Sequence, residues 1–151
     1  MKAFTHNIPI YRYGLMIISV SKEDMKNEDK VNELKNYLSP YFPDCYIEET
    51  INTAKSGNEE AITRSEGSRS FCIFYNLDKR KEEIYGHEKR HVEDRILRIC
   101  GINDTEAAGY LAGYLSAVFS DFDNLTKENI EAYKKGTFDF KTKVCMYDNL
   151  K

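Results

Sequence analysis

The chain has few of the residues that mark several large classes of protein. Its 151 residues include no tryptophan, three prolines and only three histidines. The four cysteines never form a CxxC pair, and each lies in or beside an apolar run. Such scattered cysteines favour buried free thiols over a disulfide framework or a zinc knuckle. They are Cys45, Cys72, Cys100 and Cys145.

An excess of positive charge and long hydrophobic runs are also missing. The formal net charge is -3, which argues against nucleic-acid binding as the main function. The apolar stretch at residues 15–20 is far too short to span a bilayer. The N-terminus lacks the basic start and apolar stretch of a secretory signal. We therefore expect a reduced, cytoplasmic protein with neither nucleic acid nor membrane among its partners, and the oligomeric state stays open.

Hydrophobic patterning predicts an alternation of strands and helices. Strands are predicted at residues 10–21, 45–51 and 70–77. Helices are predicted at residues 22–41, 82–100, 105–121 and 127–135, and the polar residues 52–69 are predicted to form a long loop. Pro40 and Pro43 end the first helix, and Gly101 ends the second.

This order of elements predicts an α+β fold, in which a small sheet of about three strands packs on helices. The length of the chain fits one domain over residues 1–151, with an irregular tail from about residue 123. Asn103 or Asp104 is expected to cap the helix at residues 105–121.

The most specific motif is the H-E-x-x-H sequence at residues 87–91, inside the helix predicted at residues 82–100. His87 and His91 are four residues apart, so they lie on one face of a helix and can bind one metal ion. Glu88 would then lie beside the metal, where a carboxylate can accept a proton from a bound water. The motif therefore predicts a Zn2+ site with Glu88 as the general base.

Simpler interpretations exist for the same residues. The two histidines could belong to a solvated helix face or fill part of the core, and Glu88 could be a surface glutamate in a weak i,i+4 ion pair. Lys89 and Arg90 stand where such motifs often carry apolar residues, and they indicate an exposed flank.

A catalytic zinc usually needs a third protein ligand and one open position for water. The candidates are Glu93, Asp94, Asp104, Glu106 and His6. Asp94 lies three residues beyond His91, on nearly the same helix face. Glu106 is favoured, because two antiparallel helices joined at Gly101 would return it over the first helix if they cross at a favourable angle. Asn103 and Glu106 also have the spacing of a capping box, which is a purely structural role.

The helix at residues 105–121 offers two further features. Its small residues form one face, which would let it approach the motif helix closely. They are Gly109, Gly113, Ser116 and Ala117, with Ala108 and Ala112 beside them. Tyr110 and Tyr114 carry hydroxyls that could stabilise an oxyanion, although both could equally be core aromatics with a polar tip.

Three segments together resemble a known group of proteins. They are residues 71–75 (FCIFY), 86–91 (GHEKRH) and 100–115 (CGINDTEAAGYLAGYL). Over roughly residues 70–122, the chain resembles short metallopeptidase-like proteins encoded by phages and other mobile elements. These carry a strand, H-E-x-x-H, a Gly-Ile turn and a second helix of the type E-A-x-A-Y-L-x-x-Y-L. The resemblance implies a minimal zincin of the glutamate-ligand kind, with His87, His91 and Glu106 as ligands and Glu88 as base.

The function predicted from these patterns is a zinc-dependent hydrolase, most simply a metallopeptidase acting on a peptide or protein. The strand at residues 70–77 could be an exposed sheet edge on which an extended peptide docks, with the loop at residues 52–69 bordering the cleft. The alternative from another class is a non-catalytic binding or assembly protein encoded by a mobile element, whose motif is vestigial or structural. A third interpretation is a chance motif in a small interaction domain.

Overall fold

A computed structural model describes residues 1–75 and 80–126 of the chain. Its strands are β1 (Lys2–Ile8), β2 (Tyr13–Val20), β3 (Ala61–Glu66) and β4 (Arg69–Tyr75). Its α-helices are α1 (Glu28–Leu38), α2 (Asp44–Ser56), α3 (Lys81–Ile99) and α4 (Thr105–Asn124), and a 3-10 turn at Asp24–Lys26 precedes α1. The α+β class is therefore confirmed, with a sheet of four strands in the described residues.

The strands form one mixed sheet in the order β1-β2-β4-β3. β2 pairs in parallel with β4 at the centre, while β1 and β3 pair antiparallel on the outside. The central strands are buried on both faces, as Leu15, Ile17, Ile18 and Ile73 show with no exposed surface. Near-continuous apolar sequence is typical of such two-sided strands, so the prediction of a central strand from residues 15–20 is confirmed.

Helices cover both faces of the sheet. One face packs against α1 and α2 through side chains that include Met16, Ile18 and Phe71. The other face packs against α3 and α4, and there the two helices divide the sheet between them. α4 lies on β1, where the Phe4 and Phe122 rings stack with centroids 5.2 Å apart.

α3 lies on the opposite half of this face, over β4 and β3. The Tyr85 ring packs edge-on against Phe74 of β4 at 4.7 Å. Nearer its C-terminal end, Arg95 donates a hydrogen bond of 3.0 Å to the carbonyl of Gly67, beside the end of β3. The motif helix therefore runs along the β3 edge of the sheet, and α4 runs along the β1 edge.

Two predictions about residues 45–69 are wrong. The segment predicted as a strand at residues 45–51 lies in α2, and the segment predicted as a loop contains both the end of α2 and strand β3. The period of α2 is helical, because Ile47, Ile51 and Ala54 recur at intervals of four and three and are all buried. The sequence pattern did not reveal strand β3 because the strand is polar. As an edge strand, it buries only Ile62.

Strand β1 is a further element that the pattern did not reveal. Phe4, His6 and Ile8 all face the α4 side and are buried, but a histidine in the middle masks the apolar alternation. The predicted helix at residues 22–41 is shorter than expected, because Asn27 caps α1 by accepting a 2.9 Å hydrogen bond from the Asp29 amide. The predicted helix at residues 127–135 and the rest of the tail lie outside the described residues, and α4 itself continues to Asn124.

The helices at residues 82–100 and 105–121 are confirmed as α3 and α4. Asp104 caps α4, accepting a 2.9 Å hydrogen bond from the Glu106 amide. Only part of the small-residue face of α4 contacts α3: Ala112 and Ser116 accept hydrogen bonds from Lys89. Gly109 and Gly113 are exposed, and a Cβ added at either would meet nothing within 4 Å. No helix in residues 1–75 and 80–126 combines the length and apolarity needed to cross a membrane.

The turn between α3 and α4 depends on Gly101. Its φ is +65°, and it carries the paired hydrogen bonds of a Schellman motif, from Ile102 N to Leu97 O at 2.9 Å and from Gly101 N to Arg98 O at 3.3 Å. A Cβ disfavours this left-handed backbone conformation.

We expect Gly101→Ala to lower the free energy of unfolding by about 1 kcal/mol because of this strain. Gly109→Ala is the matched control, since its site is helical and open, and it should raise the free energy of unfolding by about 0.5–1 kcal/mol. Urea unfolding followed by circular dichroism measures both. Equal stability of the two variants would contradict the strained turn.

Candidate metal centre

The two motif histidines lie side by side on the outer flank of α3. His87 Nε2 and His91 Nε2 are 3.1 Å apart, and the His87 side chain is 70% exposed. Helical spacing explains the proximity, because residues four apart lie one above the other on a helix. α3 buries the stripe that includes Ile84, Val92 and Ile96. Because that stripe faces the sheet, the flank with the two histidines faces solvent beside the sheet edge.

The distance between the imidazoles fits shared binding of a metal ion. Two nitrogens at 2.0–2.1 Å from a tetrahedral zinc are about 3.3 Å from each other. Among the described residues, a group that could hold a metal ion consists of His87, Glu88 and His91, whose ligand atoms all lie within 4.8 Å of one another. The same 3.1 Å also suits a direct hydrogen bond between two imidazoles, one donating and one accepting. The donor set is therefore compatible with zinc.

Glu88 differs from the histidines in its surroundings. Its side chain points under the helix, towards the sheet, and the residue is only 6% exposed. One carboxylate oxygen, Oε2, accepts a hydrogen bond from the hydroxyl of Thr63 on β3. The other oxygen, Oε1, lies 3.9 Å from His87 Nε2. The carboxylate thus bridges the edge strand and the histidine pair.

Thr63 also connects Glu88 to the interior of the sheet. Its hydroxyl oxygen lies 3.3 Å from the sulfur of Cys72, the residue directly opposite it on β4. Burial, opposed by the hydrogen bond from Thr63 and aided by the nearby charge of Glu88, raises the pKa of the Cys72 thiol to about 12. This thiol therefore keeps its proton at neutral pH. Sequence reasoning missed Thr63, because only recognition of β3 as a strand would have placed it beside the motif.

An open cavity of about 480 Å³ adjoins the group. Its walls come from the start of α3 and from the chain that enters β3: Asn58, Glu59, Glu60, Ala61, Arg80, Glu83, Ile84, His87 and Glu88. Arg80 crosses this cavity's rim, with ion pairs of 2.8 Å to Glu83 and 3.7 Å to Glu60. A ligand that reached His87 from this side would meet one guanidinium and several carboxylates.

Strand β4, which was expected to form the exposed edge, is instead paired on both sides. The edge beside the motif is β3. The Glu60 carbonyl accepts a 2.8 Å hydrogen bond from the Tyr75 amide, so the alternate residues Ala61 and Thr63 turn their backbone groups away from β4. Arg64 already covers part of this edge, since its Nη1 donates a 2.9 Å hydrogen bond to the Thr63 carbonyl.

Glu106 is not brought into the group. It lies exposed in the first turn of α4, and α4 packs against the other flank of α3. There Lys89 Nζ donates hydrogen bonds to Ser116 Oγ at 2.9 Å and to the Ala112 carbonyl at 3.5 Å. The histidines face the β3 edge on the opposite flank, so the turn at Gly101 returns α4 on the wrong side for Glu106 to approach them.

The other candidate ligands have partners elsewhere. Asp94 is exposed, and its Oδ1 lies 3.2 Å from Arg90 Nε. Glu93 is buried between α3 and α4, with Lys89 Nζ at 3.0 Å. Asp104 caps α4. Arg90 is 71% exposed, whereas Lys89 is 20% exposed, so only one residue of the charged pair lies on the expected exposed flank.

His6, Tyr110 and Tyr114 lie on the far side of the molecule from the histidine pair. His6 Nε2 is 2.5 Å from the Tyr114 hydroxyl, which joins β1 to α4. Tyr110 is 74% exposed beside the β1–β2 turn. Because two strands separate β1 from β3, the two edges are about 14 Å apart. The structure therefore does not place the two tyrosines beside the candidate centre.

Comparisons with known proteins found no match for this chain. No family model matches the chain, and neither a curated protein nor a solved structure matches it. The resemblance to phage-encoded metallopeptidase-like proteins therefore stays a prediction.

The cysteines differ from the expectation of uniform burial. Cys72 is buried, but Cys45 and Cys100 are exposed free thiols, and Cys145 lies outside the described residues. Cys45 points outward because it lies on the polar side of α2 rather than on a strand.

We expect iodoacetamide at pH 8 to alkylate Cys45 and Cys100 in the native protein and to leave Cys72 unmodified. Burial blocks access to Cys72 and also raises its pKa to about 12, so little thiolate is present at pH 8. Peptide mass mapping before and after unfolding in urea measures this. Modification of native Cys72 as fast as Cys45 would contradict the packing of β4.

Proposed function

We propose that the protein is a zinc-dependent hydrolase, most simply a metallopeptidase. The observation that carries the proposal is the convergence of two exposed imidazoles and one buried, oriented carboxylate, with all ligand atoms within 4.8 Å. His87 and His91 are the metal ligands in this proposal. A zinc ion held there would act as a Lewis acid and lower the pKa of a bound water towards neutrality.

Glu88 is the proposed general base. Its Oε1 faces the histidines, 3.9 Å from His87 Nε2, while Oε2 is engaged by Thr63. A carboxylate held in this way can accept a proton from an attacking water and return it to the departing amine. Its orientation is fixed before substrate arrives, which reduces the entropy lost on reaching the reactive geometry.

The proposed substrate is an extended peptide that reaches the centre through the cavity between α3 and β3. Ala61 lines this cavity and turns its backbone groups outward from the sheet. An extended chain can pair with such an edge. Arg64 covers the Thr63 carbonyl, so pairing would be confined to the start of β3, next to His87.

A second candidate is a non-catalytic metal-binding or assembly protein. One observation favours it: Glu106 is not brought to the histidines, so the described residues offer only the motif's own side chains as a group of ligands. In that case Glu88 would bind the metal directly and leave no free base.

Metal analysis of purified variants separates the two candidates. We expect the wild type to bind one equivalent of Zn2+, and His87→Ala and His91→Ala to lose it because each removes a ligand. Glu88→Gln should retain zinc if Glu88 is the base, and lose affinity if it is a ligand. Glu106→Gln and Asp94→Asn are controls that should bind zinc like the wild type. Absence of stoichiometric zinc in the wild type would overturn the proposal.

We expect Glu88→Gln to lower peptide hydrolysis by about 10²–10⁴-fold, the usual contribution of general acid–base catalysis. An unfolded, fluorescently labelled protein such as casein is the substrate, and the zinc-loaded enzyme is compared with and without a chelator. Tyr110→Phe is the matched control, since its hydroxyl lies near the opposite edge of the sheet, and its rate should equal that of the wild type. Undiminished activity in Glu88→Gln would rule out the assigned base.

A further inference from the structure

We infer that Thr63 is a positioning residue, which holds Glu88 in the role of base by keeping one of its oxygens on strand β3. This inference rests on the proposed function of the same centre. It assigns a role to a residue outside the motif, and it explains how a carboxylate adjacent in sequence to a ligand can be kept from becoming a ligand itself.

The first support is that the two oxygens of the Glu88 carboxylate have different neighbours. Thr63 donates to Oε2 of Glu88, on the side of α3 that faces the sheet. Oε1 is then the oxygen nearer the histidines, 3.9 Å from His87 Nε2. A carboxylate without this tether could rotate both oxygens towards the histidines and bind a metal in bidentate fashion.

The second support is the rigidity of the donor. Thr63 lies in the middle of β3, in register with Cys72 on β4. The residues on either side of it, Ile62 and Arg64, turn their backbone groups towards β4 and hold the strand in place. A β-branched side chain has few rotamers in a strand. Its hydroxyl has a single proton, and that proton is used for Glu88.

The third support is the position of Cys72, whose sulfur lies 3.3 Å from the same hydroxyl. Thr63 is the donor in this contact as well as in the contact with Glu88. A thiol sulfur is a weak acceptor and a carboxylate is a strong one, so the single hydroxyl proton goes to Glu88. Cys72 therefore lies beside the hydroxyl without competing effectively for its proton.

The test uses Thr63→Val, which removes the hydroxyl and preserves the shape of the side chain, and Thr63→Ser, which keeps the hydroxyl. Co2+ is titrated into the full-length apo protein, and both affinity and the visible absorption spectrum are recorded. We expect Thr63→Val to bind Co2+ more tightly, with an altered spectrum, because the freed Glu88 joins the ligands; loss of a partner that merely supported a ligand would instead weaken binding by about 10–100-fold. Peptide hydrolysis by this variant should fall about 10–100-fold. Thr63→Ser should restore the affinity, the spectrum and the rate.

Two controls separate positioning from a general structural effect. Thr5→Val is the matched control, since Thr5 lies on the other edge strand and its hydroxyl contacts Tyr37 Oη at 2.6 Å; it should leave Co2+ binding unchanged. In a Glu88→Gln background, Thr63→Val should have no further effect on Co2+ affinity. If Thr63→Val does not fold, as judged by circular dichroism, Thr63→Ala replaces it in the same cycle.

The outcomes distinguish this inference from the proposed function. Unchanged or weaker Co2+ binding in Thr63→Val, with a wild type that binds metal and hydrolyses peptide, would overturn the role of Thr63 alone. Persistence of the Thr63→Val effect on Co2+ affinity in the Glu88→Gln background would also overturn it. A wild type that binds no Co2+ or Zn2+ would overturn the proposed function, and the role of Thr63 with it.

Discussion

The parallel pairing of β2 with β4 is the constraint on which the rest of the molecule depends. These two strands are buried on both faces, so each face of the sheet must be covered by helices. Pairing in register from Gly14 with Arg69 to Val20 with Tyr75 leaves β1 and β3 as the edges. Residues 1–75 and 80–126 supply two helices for each face, and on the second face α3 and α4 can cover the sheet only by lying side by side.

This arrangement determines where the motif lies. α3 must bury one stripe against β3 and β4 and another against α4, which uses about half of its circumference. Ile84 and Val92 fill the first stripe, and Lys89 and Glu93 lie against α4. The remaining flank overhangs the β3 edge, and His87 and His91 occupy it. Glu88 lies within the buried stripe, between Ile84 and Val92, so it alone of the three motif residues is buried.

Only some residues of the candidate centre could be placed from the sequence, because the others depend on how helices and strands pack together. The i,i+4 spacing of His87 and His91 is a local property of one helix, so their proximity follows from sequence alone. The position of Glu106 depends on which flank of α3 receives α4, and neither spacing nor the turn at Gly101 specifies that choice. Thr63 depends on tertiary pairing between β3 and β4. Local contacts of the centre were therefore predictable, and contacts between elements were not.

The fold, too, was predictable only in part: the central strands were recognised, whereas the edge strands and α2 were not. Strands with strong apolar content, such as β2 and β4, were recognised because two-sided burial leaves a clear pattern. The edge strands were missed because an edge tolerates polar residues: β3 buries only Ile62, and β1 carries His6 at a buried position. Helix α2 was misread because its apolar residues begin beside Pro43, where the short apparent alternation of Cys45 and Ile47 resembles a strand.

The burial of Glu88 favours a functional role over a structural one. Removing an ionised carboxylate from water costs several kcal/mol unless charges or hydrogen bonds compensate it. The contacts described for this carboxylate are one hydroxyl, from Thr63, and a histidine nitrogen 3.9 Å away. An apolar residue would continue the stripe of Ile84, Val92 and Ile96 without that cost. A cation held between His87 and His91 would offset it, because opposite charge at short range stabilises a partly desolvated carboxylate. Stability alone therefore does not account for glutamate at this position, and the proposed metal ion would supply the missing compensation.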